Sequence, residues 1–339
     1  MNRTNNHNNN FLCDNLISRC TIHIDWFGAI RNIFDDTKPI INLTHDSIIS
    51  NLSPICYQIA NQNINYVFCR TEFLQYLLPV LHYYKLSKCI LFTASDYLIT
   101  DQLLPLIENP QIIHWFGHNI AIKHKKITPI PLGIRFFTNE ETVLFDTCTK
   151  IDYIKSNLYD ATFSLCSNEP ERNKCMQKCQ SYYYDPLDVQ YPCPIDTNYL
   201  NMYLKLHNKE NNINNSFDQH MIYYLQDRKK WHNRLGSSYF VLSPRGFSIP
   251  LSNQGDNHRI WEALYHKSIP VTTPSPLTDL YSNIFPILVI DDWDNFNPQM
   301  LTPELYHQMW KEKPLVSQYL KSDYFFEHII KNKIKEYNI

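Results

Sequence analysis

Ser238-Tyr239-Phe240-Val241-Leu242-Ser243-Pro244-Arg245-Gly246 is the stretch on which the reading of the chain turns. Its aromatic and β-branched start reads as a buried strand, and Ser-Pro-Arg-Gly ends it. After a loop, Asp256-Asn257-His258-Arg259-Ile260-Trp261-Glu262-Ala263-Leu264 opens with capping residues and continues as a helix to Tyr265, and Ile269-Pro270-Val271-Thr272 is the next strand. Strand, loop, helix, strand is the parallel α/β unit, whose ligands gather at the carboxyl ends of the strands. Arg245 is therefore expected at such an edge, with Gly246 leaving the backbone bare where a ligand approaches. The helix start adds N–H groups and a positive dipole end. Arg259 and Glu262 are three apart and share a face toward that edge. Two guanidiniums beside a helix N-terminus suit a pyrophosphate, and Glu262 would accept hydrogen bonds from ribose hydroxyls. The same two residues also fit a surface i,i+3 ion pair of about 0.2–0.5 kcal/mol.

Outward from this unit the alternation of strand and helix continues. Residues 39–43, 66–69, 88–92, 111–115 and 127–130 read as strands, with helices over 71–84 and 101–107. A second series starts with a strand at 162–166 and a helix at 169–180, and ends with strand 287–290 and helices from about 303 to 335. The expected organisation is a polar, disordered tail over 1–15, then one α/β domain over 16–155. A second follows over 156–300, interrupted by an irregular insertion at 181–216, and 301–339 pack back across the domains as helices.

Composition narrows the function classes. The 339 residues carry a net charge of −2 from 31 basic and 33 acidic side chains, so no field exists to hold a nucleic acid. The six glycines form neither G-x-G-x-x-G nor G-x-x-x-x-G-K, which excludes the dinucleotide and Walker phosphate loops. Any phosphate handled here must meet arginines and a helix N-terminus. No apolar run reaches the roughly 20 residues of a membrane span, and the N-terminus lacks the apolar core of a signal peptide. That favours a cytoplasmic protein without a transmembrane segment. The ten cysteines include no C-x-x-C; Cys56, Cys69 and Cys89 read as small buried apolar residues. Cys166, Cys175, Cys179 and Cys193 cluster without a standard zinc spacing, leaving structural thiols, disulfides and a metal site all open.

The pattern strand–Ser-Pro-Arg-Gly–loop–His258-Arg259-x-Trp261-Glu262-Ala263-Leu264–x-x-x–Ile269-Pro270-Val271, followed by Leu277 and a strand into Asp291-Asp292-Trp293, resembles the donor-binding half of exostosin-like glycosyltransferases. Thr93-Ala94-Ser95-Asp96-Tyr97, Trp115-Phe116-Gly117-His118-Asn119 and Ile130-Pro131-Leu132-Gly133-Ile134 resemble loops of the first domain in viral and microbial members, and Asn168 with Arg172 resembles a donor-side pair. The loop from Phe247 to Gln254 is longer than the family pattern, and Ala94 replaces a polar residue. The resemblance implies a GT-B fold of two Rossmann-like domains facing a cleft. It also implies an inverting transferase that takes a nucleotide-diphosphate sugar as donor and a glycan or glycoconjugate hydroxyl as acceptor, with no separate cofactor.

On that reading Arg245, Gly246, His258, Arg259, Glu262, Arg172 and Asn168 bind the donor diphosphate side, which needs no metal. A general base is expected across the cleft: Asp96 at a strand end first, His118 second, His45-Asp46 third. Asp292-Trp293-Asp294 imitates a metal–nucleotide motif but reads better as strand-end and capping residues. The rivals are a metal-dependent transferase using Asp292 and Asp294, a degenerate transferase fold serving as a carbohydrate-binding scaffold, and a sulfo- or phosphotransferase using the same arginines.

Overall fold

The computed structural model describes residues 22–25, 41–42, 65–69, 71, 74, 88–94, 97–134, 139–163, 169–179, 216–246, 256–313, 320 and 325–337. The described residues form two fully parallel sheets. The first has six strands in the order β2-β1-β3-β4-β5-β6: β1 Ile22–Asp25, β2 Ile41–Asn42, β3 Asn65–Cys69, β4 Cys89–Thr93, β5 Ile112–Gly117 and β6 Ile127–Pro129. The second has four in the order β10-β9-β8-β7: β7 Asn157–Asp160, β8 Ser238–Leu242, β9 Ile269–Thr272 and β10 Leu288–Val289. The helices are α1 Leu104–Glu108, α2 Asn139–Thr149, α3 Glu169–Cys179, α4 Ser216–Ser237, α5 His258–Tyr265, α6 Pro276–Tyr281, α7 Pro303–Glu312 and α8 Lys331–Lys335, with a π-helical turn at Phe325–Ile330. Among the described residues no helix is long and apolar enough to cross a membrane.

Central strands β4, β5, β8 and β9 are apolar runs with almost every residue buried, as expected of strands covered on both faces. Two expectations from the sequence need correction. The first strand of the second sheet is Asn157–Asp160 and not 162–166: Thr162 and Phe163 lie beyond it in irregular chain, and 164–168 fall outside the described residues. The more apolar run drew the assignment, although the pairing Tyr159↔Phe240 and Asp160↔Val241 places the ladder earlier. In addition, Ser216–Ser237, not expected as a helix, is the longest one described. Of the expected helix 71–84 only Thr71 and Leu74 are described; the tail 1–15 and all of the 181–216 insertion except Ser216 lie outside the described residues.

The two sheets are joined by one hydrophobic core and one polar knot. Ile90, Phe92 and Phe116 of the first sheet, with Ile130 just after it, pack in the same cluster as Trp261, Leu264, Tyr281 and Phe285 of the second unit. Trp261 is 2 % exposed and meets Tyr281 and Phe285 edge-on, with centroids 5.8 and 6.2 Å away. Asp256, just before α5, forms the knot. Its Oδ2 accepts hydrogen bonds from Leu132 N at 2.8 Å and Trp261 Nε1 at 3.1 Å, its Oδ1 from Asn257 N at 2.7 Å, and its own N–H donates to Asn119 Oδ1 at 2.9 Å. Two further bonds cross nearby, from the Tyr281 hydroxyl to Pro129 O at 2.9 Å and between His258 Nδ1 and Gly133 O at 2.7 Å. Gly133 has φ 69°, a left-handed conformation that turns its carbonyl without side-chain strain.

Removing the Asp256 carboxylate would strand several enclosed donors, each worth about 1–3 kcal/mol when left unpaired. Asp256→Ala is expected to lower the unfolding free energy by about 3 kcal/mol in chemical denaturation. Asp256→Asn, which keeps one acceptor, is expected to lose less; equal stability of all three chains would contradict this account of the seam.

Candidate functional site

Where β8 ends, Ser243 continues the ladder by donating its N–H to Val271 O at 2.8 Å, and the chain then turns outward at Pro244-Arg245-Gly246. Asn257 caps α5 by accepting from Ile260 N at 3.1 Å, and its Nδ2 donates to Ser243 O and Pro244 O at 3.3 and 3.0 Å. The helix start is thus tied to the strand end. Gly246 lies in this junction: a Cβ there would sit 2.5 Å from Asp256 O and 3.3 Å from Asn257 Cβ. Here glycine permits backbone to pass backbone.

The arginines expected at this edge are present, each already matched to a carboxylate or an aromatic ring. Arg245 Nε lies 3.4 Å from Glu171 Oε2, and Arg245 N donates to Glu171 Oε1 at 3.2 Å. Glu171, buried on α3, also accepts from Thr273 Oγ1 at 2.9 Å and from Trp293 Nε1 at 2.8 Å. One carboxylate therefore gathers the segments following β8, β9 and β10. Arg172 is buried, donates its Nε to Arg245 O at 3.4 Å and lies 5.8 Å from the Phe163 ring centroid. Arg259 lies over the same Phe163 ring at 5.5 Å and over Trp231 at 4.3 Å, with Asp160 Oδ2 3.6 Å from its Nη1. Burial lowers its pKa to about 10, against the pull of Asp160 and Glu262, so it remains a cation at neutral pH.

Arg259 and Glu262 do not pair with each other. Glu262 Oε1 accepts from Arg228 Nη2 at 3.2 Å and Oε2 from Trp231 Nε1 at 3.3 Å, both on α4. Burial opposes its charge, but Arg228, His258 and Arg259 outweigh it and hold the Glu262 carboxyl below the usual range. Both oxygens meet protein donors, so a ribose hydroxyl would have to share or displace one of them. Asp160 is likewise occupied, by Arg234, Arg259 and Thr162.

Across the seam, His118 follows β5 and is 2 % exposed. Its backbone N–H donates to Thr93 O at 3.1 Å, and its buried Nε2 has no hydrogen-bond partner. Burial, reinforced by His258, lowers its pKa to about 3, so it stands as a neutral imidazole at physiological pH. Between Asn119 and Ile120 on one side and Arg245, Asp256 and Thr272 on the other lies a cavity of about 10 Å³, space for one water. Asp96, Asn168 and His45-Asp46 lie outside the described residues.

Asp292 and Asp294 are turned to protein partners. Asp292 accepts from Asn295 N at 2.7 Å and Asn295 Nδ2 at 2.9 Å, closing its own turn, while Asp294 pairs with Lys174 at 2.6 Å. Among the described residues no group of three or more His, Cys, Asp or Glu side chains is placed to hold a metal. Cys175 and Cys179 are buried free thiols on α3; Cys166 and Cys193 lie outside the described residues. Glu171, Asp160 and Arg228 carry no local sequence signal, because their charged partners are distant in the chain.

His118 shares its neutral state with His114, His232 and His266, each lowered to about 3 by burial first and neighbouring charges second. The unfolded imidazole titrates near 6.5, so the unfolded chain takes up these protons first as pH falls. Stability is therefore full above about pH 6.5 and is lost toward pH 3, by up to about 1.4 kcal/mol per histidine per pH unit. Urea denaturation at pH 7.5 and 5.5 should show a loss of a few kcal/mol at the lower pH; unchanged midpoints would contradict buried neutral histidines. Gly246→Ala forces the strand end off α5, with an expected loss of about 1–3 kcal/mol measured in the same way. A wild-type midpoint in that variant would count against the close approach.

No family model matches this chain, and no curated protein is significantly similar to it.

Proposed function

We propose that the chain is a glycosyltransferase of the GT-B type, moving a sugar from a nucleotide-diphosphate donor to a glycan or glycoconjugate hydroxyl. The observation that carries this reading is the convergence of Arg172, Arg245 and Arg259 around the carboxyl edge of one parallel sheet, opposite a neutral buried imidazole on the other. The resemblance of 238–293 to the exostosin-like donor half supports it. Guanidiniums stabilise the charge that develops on a leaving diphosphate, and Glu171 and Asp160 hold them in place beforehand. The arginines supply the positive charge that a divalent ion would otherwise bring. Asp96 is the first candidate for removing the acceptor proton as the new glycosidic bond forms, and His118, whose burial makes it a weak base, is the second.

A second reading has an observation in its favour. The seam cavity of about 10 Å³ cannot admit a nucleotide sugar without movement, and Glu262 already has donors on both oxygens. A carbohydrate-binding scaffold on the same fold requires no turnover and no donor at the seam.

Nucleotide-sugar binding and hydrolysis separate the two. A panel of donors screened by calorimetry is expected to yield one that binds, with Arg245→Ala weakening it at least about tenfold. Asp96→Asn is expected to lower kcat about 10²–10⁴-fold with little change in donor affinity, and an unchanged kcat in that variant would pass the role to His118. Turnover should persist in EDTA. Absence of any donor binding favours the scaffold, activity restored only by manganese or magnesium defeats the arginine mechanism, and selective binding of an adenosine phosphosulfate points to sulfo transfer.

A further inference from the structure

The opposite, amino-terminal edge of the second sheet holds a cavity of about 320 Å³, far larger than the seam. It lies where residues 151–155 lead into β7, Tyr239 stands second in β8 and Lys267 precedes β9. Its size falls within the range of small-molecule sites, about 300–1,000 Å³.

Tyr153, Tyr239, Tyr265 and Tyr306 contribute to its wall. Most of these rings are fixed by their hydroxyls: Tyr153 donates to Asn233 Oδ1 at 3.1 Å, Tyr265 to Leu320 O at 2.8 Å and Tyr306 to Lys267 O at 2.8 Å. Tyr239 packs edge-on against Tyr306 at 5.0 Å and His307 at 6.3 Å. Its hydroxyl and the His307 imidazole take part in no hydrogen bond among the described residues. His266, also in the wall and 3 % exposed, is turned into the protein, its Nε2 3.0 Å from His232 Nδ1. The cavity thus combines fixed aromatic faces with unused polar groups.

The electrostatics select the ligand class. Helix α2 ends at Thr149 and α5 at Tyr265, so two carbonyl ends converge here and disfavour an anion. Lys155 and Lys267 stand in the same wall and disfavour a cation. Lys155 is committed inward, donating to His266 O at 3.1 Å and Ser268 Oγ at 2.7 Å, and burial reinforced by Lys267 lowers its pKa to about 7. Asp152, whose side chain is 95 % exposed, pairs at 3.4 Å with Lys267. A ligand that is neutral, rich in hydroxyls and able to lay a C–H face on a ring meets all of these conditions.

We propose that this cavity binds a neutral saccharide, with hydroxyls meeting Tyr239, His307 and Asp152 and a ring face against the tyrosines. The site is separate from the donor edge and does not depend on sugar transfer there. Saturation-transfer NMR on the full chain with maltose, cellobiose, lactose and chitobiose, in the absence of any nucleotide sugar, tests it. At least one disaccharide is expected to bind. Tyr239→Ala and Ile154→Glu are each expected to weaken that binding at least about tenfold. Ile154 lines the cavity yet is 87 % exposed, so its variant tests the site without disturbing the core. Arg245→Ala, at the opposite edge, is expected to leave disaccharide affinity unchanged. The assignment is overturned if none of the four binds, if binding survives both cavity variants, if Arg245→Ala abolishes it, or if glucuronate or choline displaces the disaccharide at lower concentration.

Discussion

The carboxylate of Asp256 is the constraint on which the relation of the two sheets depends. It lies one residue before the cap of α5, so the helix carrying Arg259 and Glu262 cannot move without breaking bonds to Leu132 and Asn119 of the first unit. Trp261 binds the same carboxylate with its indole N–H while its ring sits in the shared apolar cluster. Polar direction and apolar burial thus act through one short helix. Burial raises the Asp256 pKa, and bonds from Leu132, Trp261 and Asn257 work against that rise. A carboxylate so enclosed is sustained by the number of its donors, which is why the knot and the core must form together.

Charge in the second unit follows the same logic. Arg245 faces Glu171, Arg259 faces Asp160, and Arg228 faces Glu262, each pair partly or wholly withdrawn from solvent. Buried pairs of this kind add little net stability compared with apolar packing, because desolvation offsets their attraction. Their value lies in orientation. Glu171 also accepts from Thr273 and Trp293, so the guanidinium of Arg245 is held by the ends of several strands at once. For anion binding, charges fixed beforehand avoid the reorganisation that mobile surface lysines would need.

How much of this was legible in the sequence depends on the range of the interaction. The buried strands from Cys89 onward and the cap at Asn257 are local, and periodicity and composition located them to within a residue or two. Asn157–Asp160 was missed because an edge strand reading Asn-Leu-Tyr-Asp is less apolar than the run after it. Helix α4 was missed because its sequence is largely polar and lacks a sharp apolar stripe. At the site, Arg245 and Gly246 follow from the strand end, whereas the occupation of Glu262 by Arg228 joins residues 34 apart and the Asp256–Leu132 bond joins residues 124 apart. No spacing rule reaches those distances. The i,i+3 proximity of Arg259 and Glu262 is real geometry, but Asp160 and Arg228 compete for both partners.

The parallel order of β7, β8, β9 and β10 gives the second unit two chemically distinct ends. Helices that return between parallel strands point their N-termini at the carboxyl edge and their carbonyl ends at the other. At the carboxyl edge the start of α5 lies beside Arg245 and Gly246, a setting suited to negative charge. At the amino edge the ends of α2 and α5 meet Lys155, Lys267 and the tyrosines, and the opposing charges leave a surface suited to neutral polar groups. On the two proposed assignments, one topological choice would separate anion recognition from saccharide recognition by the length of a strand. Gly246 and Gly236 mark the two ends in the same way: a Cβ at the first would strike the backbone of Asp256, and one at the second would strike the ring of Tyr153. A chain with only six glycines has placed one at each edge where something must approach closely.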